Sequence, residues 1–201
     1  MYEFIFFLAI VFIISFIYIN LYKPSLVYVR SKEDKRVYIV RNLEDKNKAA
    51  STLAKVRQKL EELISKLKEK YGDKNSKVNL LIKRFNSNEI REALPLKNQT
   101  SYSINKGEKI VLCLRSRDSK QSLTDINTLV FVALHEIAHV MSISIGHKTE
   151  FWENFRFLLA HAIHWKIYKE QDFKKKPKPY CGLKITSSPL DISDMERYLK
   201  K

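Results

Sequence analysis

Cysteine is scarce in this 201-residue chain: Cys113 and Cys181 are the only two, and they form no CxxC pair. That excludes a disulfide framework and makes a reducing compartment the default, with one pair between them left open. No internal repeat is present. Acidic residues are also in deficit, 22 against 37 basic, for a net charge of +15. Such a balance favours contact with nucleic acid, anionic lipid or acidic protein surfaces. A Lys-, Asn-, Ile-, Phe- and Tyr-rich composition of the kind AT-rich coding produces gives the same balance. The N-terminus lacks two further things, a basic start and a small-x-small cleavage site. Its only early charge is Glu3. Those absences argue against a cleaved signal peptide.

What is there instead is an apolar or Ser run from Phe4 to Ile19, extended by Asn20-Leu21-Tyr22. Its length is close to what spans a bilayer. Residues 1–22 are therefore expected to be a transmembrane anchor, 23–46 a stalk or short strands, and 47–201 the folded domain. Lys23, Arg30, Lys32, Lys35 and Arg36 follow the anchor. By the positive-inside rule the C-terminal domain stays on the cytoplasmic side of a single-pass membrane protein. On that topology the sequon Asn98-Gln99-Thr100 never meets a lumen.

The chemistry centres on Leu134-His135-Glu136-Ile137-Ala138-His139, an HExxH inside the apolar run Leu129 to Val140. Residues four apart share one helix face, so His135 and His139 can offer two imidazoles to one metal ion. Glu136 sits about 100° further round the helix. There it can reach a metal-bound water without being a ligand. Two His ligands, a base and an open position are what a zinc hydrolase requires. A pair of hydrogen-bonded core histidines is the bland alternative. A catalytic zinc usually takes a third protein ligand. Gly146 suits a left-handed helix end, after which the chain can turn His147 back toward the metal. Glu150 and Glu153 are the carboxylate alternatives; His147 is preferred because neutral imidazole suits zinc. The metzincin spacing is absent.

Around the motif, Leu26 to Arg30 and Val37 to Val40 read as short strands or extended stalk. Asp45 or Asn47 can cap a helix running to Tyr71, with Leu53, Val56, Leu60, Leu63, Ile64 and Leu67 as its apolar stripe. Val78 to Phe85 reads as a strand, and Ser87 to Leu94 as a helical turn. A hairpin turning at Asn105-Lys106-Gly107 follows. The motif helix is expected over Leu123 to Ile143, a second helix from Lys148 to Glu170, and a short one over Asp191 to Leu199. His161 and His164, three apart, read either as surface or hydrogen-bonded residues or as a secondary metal pair. Lys174-Lys175-Lys176-Pro177-Lys178-Pro179 is a basic linker, able to meet phosphates or lipid headgroups. Tyr180 to Thr186 adds a strand or lies over the cleft. Cys181 reads as a buried thiol rather than a ligand or switch.

The segment HEIAHVMSISIGHKTEFW resembles the active-site segment of WLM and SprT-like metallopeptidases, which carry HExxH, a short variable stretch, then a His closely followed by Phe-Trp. Tyr102 to Arg115 resembles the family's hairpin leading into the motif helix. The resemblance covers about residues 78 to 170. It implies an α+β, minimal zincin-like core: a small antiparallel or mixed sheet packed on helices, with the HExxH on a buried helix. It also implies zinc on His135, His139 and His147, Glu136 as general base, and a protein substrate. Some members of the family cleave proteins crosslinked to DNA. The layout of anchor, basic domain and late Tyr-Cys-Gly is similar to uncharacterised proteins of large DNA viruses. The expected function is thus a membrane-anchored zinc metallopeptidase acting through a zinc-bound water. The alternatives are a zinc-stabilised membrane or virion structural protein that does not turn over, and a membrane-tethered DNA-associated protein.

Overall fold

The computed structural model describes residues 6–7, 10–12, 25–96 and 100–200. The anchor expected over residues 1–22 lies almost wholly outside them, as do Asn98 and Gln99 of the sequon. No helix among the described residues is long and apolar enough to cross a membrane.

The fold is mixed α and β. Strands β1 (Leu26–Arg30) and β2 (Val37–Arg41) form an antiparallel hairpin that packs on α1 (Lys46–Tyr71). Of the two readings of this stretch, strands are what forms. Helix α1 buries Leu53, Val56, Leu60, Leu63 and Leu67 at helical spacing, and that face meets the motif helix. Asp45 does not cap α1 with its side chain; its carboxylate bonds Arg115 instead, at 2.7 Å.

Two elements differ from expectation. Val78 to Phe85 is not a strand: α2 spans Ser76–Arg84. Asn75 accepts from the Lys77 and Val78 amides, and Val78 and Leu81, three apart, are the buried pair. A capped helix with one apolar face outweighs the β-propensity of a short apolar run. Ser87 to Leu94 is not a helical turn but contains β3 (Ile90–Glu92). It pairs parallel with β5 (Lys109–Leu112), while β4 (Tyr102–Ile104) pairs antiparallel on the other side of β5. The sheet order is β3-β5-β4, with β4 at one edge.

The motif helix α3 runs Ile126–Met141, shorter at both ends than expected. Asp125 sets its start by accepting from the Thr128 amide and hydroxyl. Its end comes before Gly146, which lies in the following loop at φ +77 rather than at the helix terminus. Helix α4 (Thr149–His164) packs on α3 and stops at Trp165, short of Glu170. A separate hairpin of β6 (Lys178–Tyr180) and β7 (Leu183–Ile185) follows, then the short α5 (Met195–Leu199).

The two cysteines are joined. Cys113, just after β5, and Cys181, in the β6–β7 turn, form a disulfide across 68 residues. Cys181 is therefore not a free buried thiol, and the pair left open by the sequence is made. Separation along the chain hides such a contact until β5 and the hairpin are brought together.

Candidate metal centre

Helix α3 is apolar nearly all round, so it buries against α1, α2 and α4 and exposes one end of a single face to a cleft. His135 and His139 lie on that face. The loop after Met141 returns His147 to them. Its Nε2 stands 3.1 Å from His139 Nε2 and 3.1 Å from His135 Nε2. One ring nitrogen has a single site, either a proton or a lone pair. It cannot both donate to one neighbour and accept from the other. Three nitrogens drawn together in this way are the donor set of a cation. The spacing suits an ion at the roughly 2.0–2.1 Å reach of Zn–N bonds. The residues present therefore fit zinc. Among the described residues, this His triad is the one cluster of His, Cys, Asp or Glu with such convergence.

Burial, with the other imidazoles adding to it, holds His135 down at about 3 and His139 at about 4. Both are neutral at physiological pH, the form that binds a metal. Burial pushes the adjacent Glu136 carboxyl up to about 8.

The loop carrying His147 is held from four directions. Arg84 Nη1 donates to the carbonyls of Val140 and Ser142, at 3.2 and 3.0 Å. Lys106 Nζ donates to those of Ser142 and Ser144, at 3.1 and 2.6 Å. Glu150, at the start of α4, accepts from the Ile143 and Ser144 amides, each at 2.9 Å. Those bonds keep its carboxyl at about 2. Asn154 Nδ2 donates to Ser142 Oγ, and Ser142 Oγ to the Ala138 carbonyl. Gly107, in the β4–β5 turn, lets Lys106 come this close. A Cβ there would lie 2.7 Å from Val140 Cγ1 and 2.8 Å from the Arg84 carbonyl.

Glu150 and Glu153, the carboxylate alternatives for the third ligand, are thus otherwise engaged. Glu150 ties the loop, and Glu153 bonds Arg156 and Tyr198. His161 and His164 form no metal pair. His161 is fully buried, with Nδ1 facing the Phe157 carbonyl and Nε2 facing the Tyr71 hydroxyl, both at 2.8 Å.

Sequence reasoning missed the aromatic support. Phe151 stacks on His139 with ring centres 4.2 Å apart, and meets His135 and His147 edge-on at 4.8 and 4.6 Å. One ring orients all three imidazoles. In the sequence it showed only as the Phe of the Phe-Trp pair in the family resemblance, with no role attached. Arg84 carried no signal beyond charge, and Lys106 was read only as a residue of the hairpin turn. The open cleft over the triad has a volume of about 640 Å³, and Tyr102, Val132, Ile145, Tyr180 and Ile185 help line it. The expectation that Tyr180 to Thr186 lies over the cleft matches this placement.

The WLM domain family model matches residues 32–200. An uncharacterized protein of Acanthamoeba polyphaga mimivirus is 35% identical over 167 residues, 81% of this chain and 84% of that protein. One from Invertebrate iridescent virus 6 is 42% identical over 82 residues, 40% of this chain and 44% of that protein. Among solved structures, the crystal structure of Wss1 from Saccharomyces cerevisiae aligns with 63% of this chain and 88% of its own, at 20% identity and TM-score 0.46. With a family model spanning all but the N-terminal segment and the last residue, the chain belongs to the WLM domain family.

Proposed function

We propose that this chain is a zinc-dependent metallopeptidase with a zincin-type centre, tethered to a membrane by residues 1–22 with its folded part on the cytoplasmic side. The observation that carries the reading is the convergence of three imidazole Nε2 atoms beside a buried glutamate at the base of an open cleft. Zinc there would supply Lewis acidity, acidifying a water and polarising a carbonyl. His135, His139 and His147 would hold the ion, the first two kept neutral by burial, with all three rings oriented by Phe151. Glu136 would take a proton from the attacking water onto its carboxylate and pass it to the leaving amine. Its burial favours the proton-bearing form, and a nearby cation opposes that preference, so the group is suited to exchanging a proton near neutrality. The cleft walls are mostly apolar, which suits an extended polypeptide bearing apolar side chains.

Both cysteines are buried residues, Cys113 at 8% and Cys181 at 2% exposure, which hinders attack on their disulfide by reductant. Disulfides are rare in the cytosol, so the proposed cytoplasmic placement requires that this burial keep the bond from reduction.

Glu136→Gln is the test. The variant should hold zinc as the wild type does and lose peptide turnover. A structural zinc protein predicts that neither form cleaves a peptide and that the substitution changes nothing.

A further inference from the structure

The cleft contains a phenol with no role so far. Tyr180, the last residue of β6, is 5% exposed and lines the cleft with His135 and Glu136. Its hairpin pairs with no other strand among the described residues. The hairpin is fastened by the Cys113–Cys181 bond and by the Tyr180 hydroxyl, which hydrogen-bonds Ser101 Oγ. Lys178 adds an ion pair with Asp125 at 3.8 Å. Both main fastenings meet at one point, because Ser101 Oγ also accepts the Cys113 amide at 2.9 Å.

The direction of this chain matters. A hydroxyl carries one proton and two lone pairs. Ser101 Oγ already accepts from the Cys113 N–H, so its own proton is available to Tyr180 Oη. Ser101 Oγ can still accept with its second lone pair, and in the polarity in which it donates instead, Tyr180 keeps its phenol proton for the cleft. Each bond in such a relay polarises the next. An oxygen acceptor bound in the cleft selects this polarity over the reverse one. The other tyrosine of the cleft, Tyr102, is 38% exposed and sits at its rim.

We infer that Tyr180 is a catalytic residue that donates its phenol hydrogen bond to the carbonyl oxygen of the bond being cleaved as that oxygen becomes anionic, with Ser101 as its positioning residue. The role rests on the hydrolytic reading of the same site. A donor on the cleft wall that meets the developing charge would stabilise the transition state more than the bound substrate. The hairpin is the device that supplies it, and the disulfide sets the hairpin's place.

The test uses the full zinc-loaded chain with Tyr180→Phe and Ser101→Ala. Three quantities are read: kcat and KM on a fluorogenic unstructured casein peptide, Kd for a phosphinic peptide that mimics the tetrahedral geometry, and Kd for the casein peptide in a Glu136→Gln background. Tyr180→Phe should lower kcat by about 10²–10³-fold, the usual cost of one oxyanion donor. It should weaken the phosphinate and leave casein-peptide affinity unchanged. Ser101→Ala, which keeps the phenol, should show a smaller loss with the same split. Unchanged turnover and phosphinate affinity in Tyr180→Phe would overturn the role while the hydrolase reading stands. Equal weakening of phosphinate and casein peptide would also overturn it, leaving Tyr180 as mere wall. A wild-type chain that neither cleaves the peptide nor binds the phosphinate would remove both the reading and the role.

Discussion

Replacing Cys113 and Cys181 together by alanine removes the crosslink between the end of β5 and the hairpin beside the cleft. The closed loop holds both α3 and α4, hence all three imidazoles and Glu136. For a separation of 68 residues, the chain-entropy relation puts the loss at about 4 kcal/mol. Alanine is the better replacement, because both cysteines are buried and a serine hydroxyl would add its own desolvation cost. At roughly 2–4 °C per kcal/mol for a chain of this size, the melting temperature should fall by about 8–16 °C. The assay is thermal unfolding at fixed, saturating zinc, so that ligand linkage does not differ between samples. Wild-type chain treated with a phosphine reductant under mild denaturant and then returned to buffer should melt with the variant. A fall of less than about 3 °C would refute the reasoning. It would mean that the hairpin is held by its other contacts, or that the unfolded chain is already compact over this loop.

Other perturbations probe the frame of the site. Glu92→Ala removes one of the two carboxylates bonded to the buried Arg115, Asp45 remaining at 2.7 Å, and takes the acceptor from the Arg41 amide; it should cost about 1.5–3 kcal/mol in urea unfolding, and a loss under about 0.5 kcal/mol would contradict the pairing. Gly107→Ala drives a methyl against Val140 and the Arg84 carbonyl at positive φ, and should cost about 1–3 kcal/mol while weakening zinc binding through the displaced Lys106; zinc affinity equal to wild type would show that the turn does not position the loop. His161 is held near 4 by burial against an ordinary 6.5, so the unfolded state binds the extra proton and stability falls as pH drops from 6.5 toward 4. Between pH 7 and 5 the metal-free wild type should lose about 2 kcal/mol more than His161→Gln does, and parallel pH profiles would contradict this.

The convergence of the three histidines was legible because its signal is local. His135, Glu136 and His139 are fixed relative to one another by a single turn of helix, and His147 follows within the next loop. The amphipathic stripe of α1 and the β4–β5 turn were legible for the same reason. What the sequence hid depends on distant partners. Val78 to Phe85 has enough β-branched and apolar character to resemble a strand, and only its Asn75 cap and its packing on α3 decide for helix. β3 exists because β5 offers a parallel partner about 20 residues later, which no local pattern announces. Glu150 looked like a possible ligand, but two backbone amides claim it. The disulfide and Tyr180 required the hairpin to be placed before either meant anything.

Zinc affinity of the His147→Ala variant, measured by chelator competition beside the wild type, bears most directly on the metal centre. Three converging imidazoles predict one tightly held zinc per wild-type chain and an affinity at least 10²-fold weaker in the variant. Equal affinity in the two, or no zinc in the wild type, would contradict the centre as described.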